Sequence, residues 1–485
     1  MTATPPPTPP PTPTQSATLA PTQASRPLRA PRPPLPIRRA RFAVAILFFT
    51  NGAIFANLLP RYPEVMASLD LSNASFGLAV AAGPLGALIA GLSAGALVRR
   101  FRSSRVAVVA TLLLAVGIVL AGAGLSWAAL AAGLFLAGAM DSIADVAQNS
   151  HGLRVQRLYK RSILNSFHAI WSLGAVTGGI LGAVAAQAAV PLALHLVITG
   201  GVFGAMTVVI YRFLLPGAEP LERDAAPTAA AAQPRLTGRA ASLAKYGILL
   251  ALVIIASAGA IVEDSGASWS AIYLSGTLGA SAFIAGTGFV ALQGMQFIGR
   301  FFGDRLVDRF GQRLVARAGG VIVFLGMGVA LAFPTVIGTI VGFGLAGLGV
   351  ATLIPAAMQA ADELPGFRPG TGLTLVGWLL RVGFLVSPPL VGAIADNVGL
   401  RFGLLIVPFA GLLVIIFSQV LVGRVPLRHH AEAEAEAEAS AEAEAEAEAS
   451  AEAEAEAEAS AEADAQARAD AEANQRAGAG PAATA

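Results

Sequence analysis

The sequence predicts an all-α membrane protein of twelve transmembrane helices, built as two six-helix repeats with both termini cytoplasmic. Three observations predict it. Apolar residues make up 55% of the 485 and charged residues only 13%, about half the ~25% usual for a soluble domain. Apolar runs of roughly 20 residues, the length that crosses a bilayer, recur twelve times between 42 and 423. Similar strings return at a fixed spacing of 209 residues. This composition excludes an ordinary soluble enzyme, a disordered chain and a nucleic-acid binder. With no cysteine there is no disulfide or thiolate site.

The elements follow in order. Residues 1–41 hold 13 prolines, 6 arginines and no acid. Such a stretch favours extended conformations and forms no packed core, so it reads as a disordered arm. No short basic start followed by an apolar segment marks it as a secretory signal. The expected spans are 42–60, 73–98, 106–125, 127–149, 164–188 and 191–214, then 246–274, 281–303, 314–332, 335–360, 370–394 and 402–422. The two bundles are thus 42–214 and 246–423. Between them, 215–245 is Ala/Pro-rich and charged, a cytoplasmic linker. The stretch 424–485 repeats AEAEAEAEAS three times. Its like charges at i and i+4 repel, so a solvated, disordered tail is expected.

Charge sets the orientation. The tail from Ala431 carries 16 acids and 2 arginines, whereas residues 1–430 carry 30 basic against 14 acidic residues. With the amino terminus inside, 26 basic residues fall in cytoplasmic segments and two, Arg61 and Arg401, fall outside. That asymmetry follows the positive-inside rule.

The repeat is carried by LVRRF at 97–101 against LVDRF at 306–310, by GLFLAG at 133–138 against GFGLAG at 342–347, and by Gly174 against Gly383. All three pairs share one offset and fall in corresponding spans. Parallel repeats of this kind occur in transporters that hold substrate between two halves.

At these residues the chain, over essentially all of 42–423, resembles the major facilitator superfamily. The family's loop motif, roughly G-x-x-x-D-R-x-G-R-R, matches GDRLVDRFGQR at 303–313 through Asp308, Arg309, Gly311 and Arg313. The resemblance implies that this loop helps set the inward- and outward-facing states. The first copy, GALVRRFRSSR, departs from the motif, with Arg99 for the acid and Arg102 for the glycine. The strings FFTNGAIFANLLPRYP, DVAQNSHG, NSFHAIWSLG and SWSAIYL resemble the MosC/YbjJ-like branch of bacterial transporters. One member of that branch is associated with rhizopine, an inositol derivative, which implies polyol-like or sugar-like cargo.

Ionisable residues inside a span are costly and call for a reason. Asp141 and Asp145 stand at i, i+4 on one face of span four, with Asn149 extending that face. His168, early in span five, lies at a similar depth, so Asp145 and His168 are expected to meet. A carboxylate beside a titratable imidazole can carry a coupling proton; a polar cluster tying spans four and five to the loop is the bland alternative. Glu263, in the outer part of span seven, joins the proton-coupling candidates, while its neighbour Asp264 reads better as an outer-gate contact. Arg381, near the middle of span eleven, needs an anionic partner, either a carboxylate or the cargo.

Asn51, Asn57, Gln293 and Gln296 offer donors and acceptors for hydroxyl-rich cargo, or serve as glue between helices. Trp171, Trp269 and Trp378 could stack on a sugar face, although Trp269 reads as an interfacial anchor. Gly174, Gly178 and Gly182 read as helix-packing positions. The Gly-Pro-x-x-Gly-Gly element of the superfamily's drug antiporters lacks its proline here.

No phosphate loop, metal-spacing cluster or nucleophile elbow occurs, so no enzyme activity, cofactor or metal is expected. The expectation is a multi-pass, monomeric secondary transporter of the bacterial cytoplasmic membrane. It would move a small polar, polyol- or sugar-like solute by alternating access, coupled to protons or another ion. The rivals are a proton-driven exporter of drugs or secondary metabolites and a membrane sensor or scaffold.

Overall fold

A proline opens the first helix. In the computed structural model, Pro34 is the N-cap of α1 (Leu35–Ala56), and Pro36 sits in its first turn. There a missing N–H removes no helical bond and the fixed φ favours the helix. The helix therefore starts at Leu35, inside the stretch 1–41 read from sequence as an arm. The structure describes residues 34–159, 163–217, 239–364, 367, 371–421 and 450. The arm through 33, most of the linker, and the tail from 424 apart from Ser450 lie outside the described residues.

The remaining helices are α2 (Tyr62–Ser68), α3 (Asn73–Phe101), α4 (Ser103–Ala123), α5 (Trp127–Tyr159), α6 (Leu164–Gln187) and α7 (Leu192–Tyr211). The second half has α8 (Arg239–Ile272), α9 (Ala282–Phe310), α10 (Gln312–Ala332), α11 (Val336–Val350), α12 (Leu353–Asp362), α13 (Thr371–Val398), α14 (Leu400–Gly403) and α15 (Ile406–Phe417). Among the described residues, twelve helical segments are long and apolar enough to cross a membrane. Local chemistry starts several of them. Ser72 Oγ accepts from Ser75 N at 3.2 Å at the head of α3, and Thr335 Oγ1 accepts from Gly338 N at 3.0 Å at the head of α11.

The duplication is visible in the boundaries. The ends of α3 and α4 map onto those of α9 and α10 at the offset of 209, and the start of α5 maps onto that of α11. The turn between α3 and α4 is made by Arg102 at φ 73°, and its counterpart is Gly311 at φ 83°. The second half thus fills this left-handed position with the residue suited to it, whereas the first half holds an arginine there.

Within the first half α3 and α4 pack on α5, and α1 packs on α6 and α7; within the second, α10 packs on α11 and α15, and α8 on α13. Helix α1 meets α6 closely because Gly174, Gly178 and Gly182 face the carbonyls of Phe49, Ala53 and Asn57. A glycine every fourth residue leaves a groove that a second backbone can enter.

The halves join along two seams, α3 with α13 and α6 with α9, with α2 against α8 between them. These contacts gather on the face opposite Leu35, where α1 begins. Gly77 lies on the backbone of Pro388 and Pro389, and Gly392 on that of Asn73. The Asp396 carboxylate at the end of α13 accepts from Asn73 N, Asn73 Nδ2 and Ala74 N, each at 2.9 Å. It thereby caps the start of α3 from the other half. Trp269 is fully buried, edge-on to Phe76 at 5.5 Å, and Phe76 in turn meets Tyr62 at 5.0 Å. The expectation of Trp269 as an interfacial anchor is corrected: the first half covers it. A small pocket of about 230 Å³ lies in the same region, lined by Pro60, Arg61 and Ala186 from one half and Ala282 and Ala285 from the other.

Candidate functional site

Helix α5 carries the acids. Asp141, Asp145 and Asn149 follow one another at i+4, so they form one stripe of one helix face. The neighbouring helices of the first half supply their partners. Asn51 of α1 donates through Nδ2 to Asp141 Oδ1 at 2.9 Å, and its Oδ1 accepts from Trp171 Nε1 of α6 at 2.7 Å. Asn51 has both a donor and an acceptor, which lets it stand between an acid and an indole. This chain ties three helices together at one level.

A second chain lies one turn away. Asn149 Nδ2 donates to Asp145 Oδ1 at 2.8 Å and to the Asp145 carbonyl at 2.9 Å. His168 Nε2 lies 3.2 Å from Asn149 Oδ1. An amide oxygen only accepts, so Nε2 carries the hydrogen in this contact. Asp145 and His168 therefore share a network but do not touch, because Asn149 stands between them. Phe48 closes the other side of the imidazole, edge-on at 5.2 Å.

The second half presents the cations. Arg381 of α13 is half-buried and acts electrostatically on both Asp141 and Asp145, yet it makes no hydrogen bond or ion pair with either. Trp378, one turn along the same face, is exposed. Glu263 of α8 accepts from Gln296 Nε2 at 3.0 Å and lies 3.8 Å from Arg300 Nη2. Arg300 also reaches Ser172 of α6 at 3.4 Å, so this cluster touches the first half. Gln293 and Gln296 are buried, and the Oε1 of each is without a partner.

The arrangement places two acids on one half and, on the other, a guanidinium that no side chain pairs among the described residues. A solute with hydroxyl or carboxyl groups could bridge them. Asn57 instead bonds to Ala53 O and to His195 of α7, which is the glue role. Arg300 and Ser172 carried no assigned role in the sequence reading, although an arginine inside a span was itself a signal.

The loop residues stand apart from this centre. Asp308 and Arg309 are exposed, with Arg309 over the Phe310 ring at 5.4 Å. Arg313 Nε donates to the Leu421 carbonyl at 3.0 Å, so it ties α10 to the end of the last span. Among the described residues no group of three or more acids and histidines is placed to hold a metal.

The model of the Major Facilitator Superfamily matches residues 44–295 and 254–461. The uncharacterized transporter y4wD of Sinorhizobium fredii is 29% identical over 78% of this chain and 97% of its own length. The membrane protein MosC of Rhizobium meliloti is 28% identical over 77% of this chain and 88% of its own. Among solved structures, the nucleoside transporter NupG superposes with a TM-score of 0.61 at 12% identity, covering 79% of this chain and 98% of its own. A D-xylose-proton symporter superposes with a TM-score of 0.60 at 16% identity, over 80% and 98% of the two chains. These last two share the fold with this chain.

Proposed function

The chain belongs to the major facilitator superfamily, is similar to MosC and lies in a bacterial plasma membrane, and from that membership we propose that it moves a small polyol- or sugar-like solute by proton-coupled alternating access. The observation that carries this reading is the division of the central groups. Asp141 and Asp145 belong to the first half and Arg381 to the second, and no direct pair joins them. Two opposed charges left apart in a membrane protein are costly unless something completes them. Cargo hydroxyls accepting from Arg381 and donating to Asp141 would do so. One protein that shares this fold is a D-xylose-proton symporter, so the fold admits polar cargo and proton coupling.

Under this reading the termini lie in the cytoplasm, as the basic residues indicate. The face closed by Asp396 and Trp269 is then external, and this conformation faces inward. Residues 42–214 rock against 246–423, with the cargo site between spans one, four, seven and eleven. Asp141 and Asp145, in contact through Asn51 and Asn149 with Trp171 and His168, carry the proton, and Glu263 takes part from the second half.

A thermal-shift screen of the purified protein against inositols, sugars, sugar acids and lipophilic cations tests the cargo. A ligand at ~100 times its Kd adds about 2.7 kcal/mol to the folded state. Stabilisation by a polyol or sugar, followed by its flux in proteoliposomes, supports the proposal. Stabilisation by lipophilic cations alone replaces it with the export reading. For the polar cargo so found, Arg381→Ala should weaken binding about tenfold or more, and Arg381→Lys should weaken it less. Unchanged affinity in a folded Arg381→Ala variant removes Arg381 from the site.

A further inference from the structure

A second buried acid lies away from the α5 stripe. Asp264 follows Glu263 on α8 but points to a different face, since successive helical residues are turned by about 100°. Glu263 meets Gln296 and Arg300. Asp264 is only 8% exposed and faces the external seam. Its Oδ1 accepts from Ser268 Oγ at 3.3 Å, and its Oδ2 is buried with no hydrogen-bond partner. The Ser387 hydroxyl of α13 is poised to donate to the same carboxyl and also lies 3.2 Å from Ser265 Oγ. Ser265 and Ser387 are fully buried, and Ser268 nearly so.

The other titratable groups acting on Asp264 are Glu263, next in the chain, and Tyr62 from α2. Arg61 and Glu64, on segments packed against α8, pair with each other, and among the described residues no cationic side chain pairs with Asp264. A lone carboxylate in such a place lacks the counter-charge that buried acids require. Carboxyl and hydroxyl oxygens are the donors that suit a hard monovalent cation, and an unpartnered Oδ2 suits a proton equally.

We propose that Asp264, with the hydroxyls of Ser265, Ser268 and Ser387, forms a binding site for a monovalent coupling cation, a proton or Na⁺, enclosed by the external seam. Tyr62 of the first half lies beside it in this conformation, and Phe76 packs edge-on to Tyr62. When the seam parts they leave with their half, and Asp264 meets external water and exchanges its cation. The seam recloses over the neutralised acid and not over the bare charge, so occupancy is a condition for turning inward. The inference rests on the transport reading but is independent of the proton route through Asp141 and Asp145.

The test is the melting temperature of the detergent-purified full chain without cargo. It is measured in NaCl against choline chloride, and at acidic against alkaline pH, for the native sequence, Asp264→Asn and Asp141→Asn/Asp145→Asn. A cation-dependent rise is expected in the native protein and in the α5 double variant, and it should be absent from Asp264→Asn. A rise with NaCl at constant pH identifies Na⁺; a rise with acid alone identifies the proton. If Asp264→Asn does not fold, Ser387→Ala, which keeps the carboxyl, should need about tenfold more cation for the same rise. An unchanged response in both Asp264→Asn and Ser387→Ala overturns the site, as does a native protein indifferent to both cations. A response lost only from the α5 double variant also overturns it, while leaving the transport reading intact.

Discussion

Asp141 and Arg381 are held in opposite ways, and that decides what their substitution does. Asp141 accepts from Asn51 at 2.9 Å, and an asparagine in its place keeps an acceptor for that bond while losing the charge. Asp141→Asn should therefore fold normally and lose pH-driven uptake by at least about tenfold, with counterflow of cargo retained. Equal pH-driven uptake in proteoliposomes would remove it from the coupling route. The i+4 stripe of acids was legible because it needs only helical spacing. The bridging of Asp145 to His168 by Asn149 was not, since depth along two helices does not say which side chain fills the gap. Trp269 was misread for a related reason: hydropathy places it at a helix end, and only the opposite half shows what covers it. Arg102 is a local anomaly, a non-glycine residue at φ 73° where the repeat has Gly311. Arg102→Gly should relieve about 1 kcal/mol of strain and raise the melting temperature. A fall would mean that the arginine has a compensating contact.

At the level of helices, the sequence carried the twelve spans and their duplication, because membrane length and a constant repeat offset both leave long signals. It missed the start of α1 at Leu35, where prolines that elsewhere bar a helix occupy the positions that admit them. It read the tenth span as one run, and Val336–Asp362 is one span, but it did not show the break between Val350 of α11 and Leu353 of α12. The α1–α6 pair depends on Gly178 facing the Ala53 carbonyl. Even Gly178→Ala puts a methyl group against backbone, which cannot rotate aside. That should cost about 1–3 kcal/mol, read as a lower melting temperature. A neutral result would show that the pair can separate without loss.

For the whole molecule, the seams predict which face is sealed. Ala285 is 1% exposed beside the small pocket between the halves. Because the chain has no cysteine, Ala285→Cys supplies a single thiol, and a membrane-impermeant maleimide should label it slowly. Removing the Asp396 cap with Asp396→Ala deletes three bonds across the seam and should speed that labelling about tenfold as the sealed state loses roughly 1.4 kcal/mol. Labelling that is fast in both proteins would contradict a closed external face. Neither the seams nor the cap was legible beforehand. They join residues from 96 to 323 positions apart, and nothing in one half's pattern names its partner in the other.

At Gly77 and Gly392 the two halves meet against bare backbone. Every glycine codon becomes an alanine codon by a change of its second base. A transporter whose halves meet at two such positions is genetically exposed, since a single-base substitution at either puts a side chain where only backbone fits. A selection for cells resistant to a toxic cargo analogue should recover these alleles repeatedly, and their second-site suppressors should fall where the facing helices can retreat, around Asn73 and Pro388.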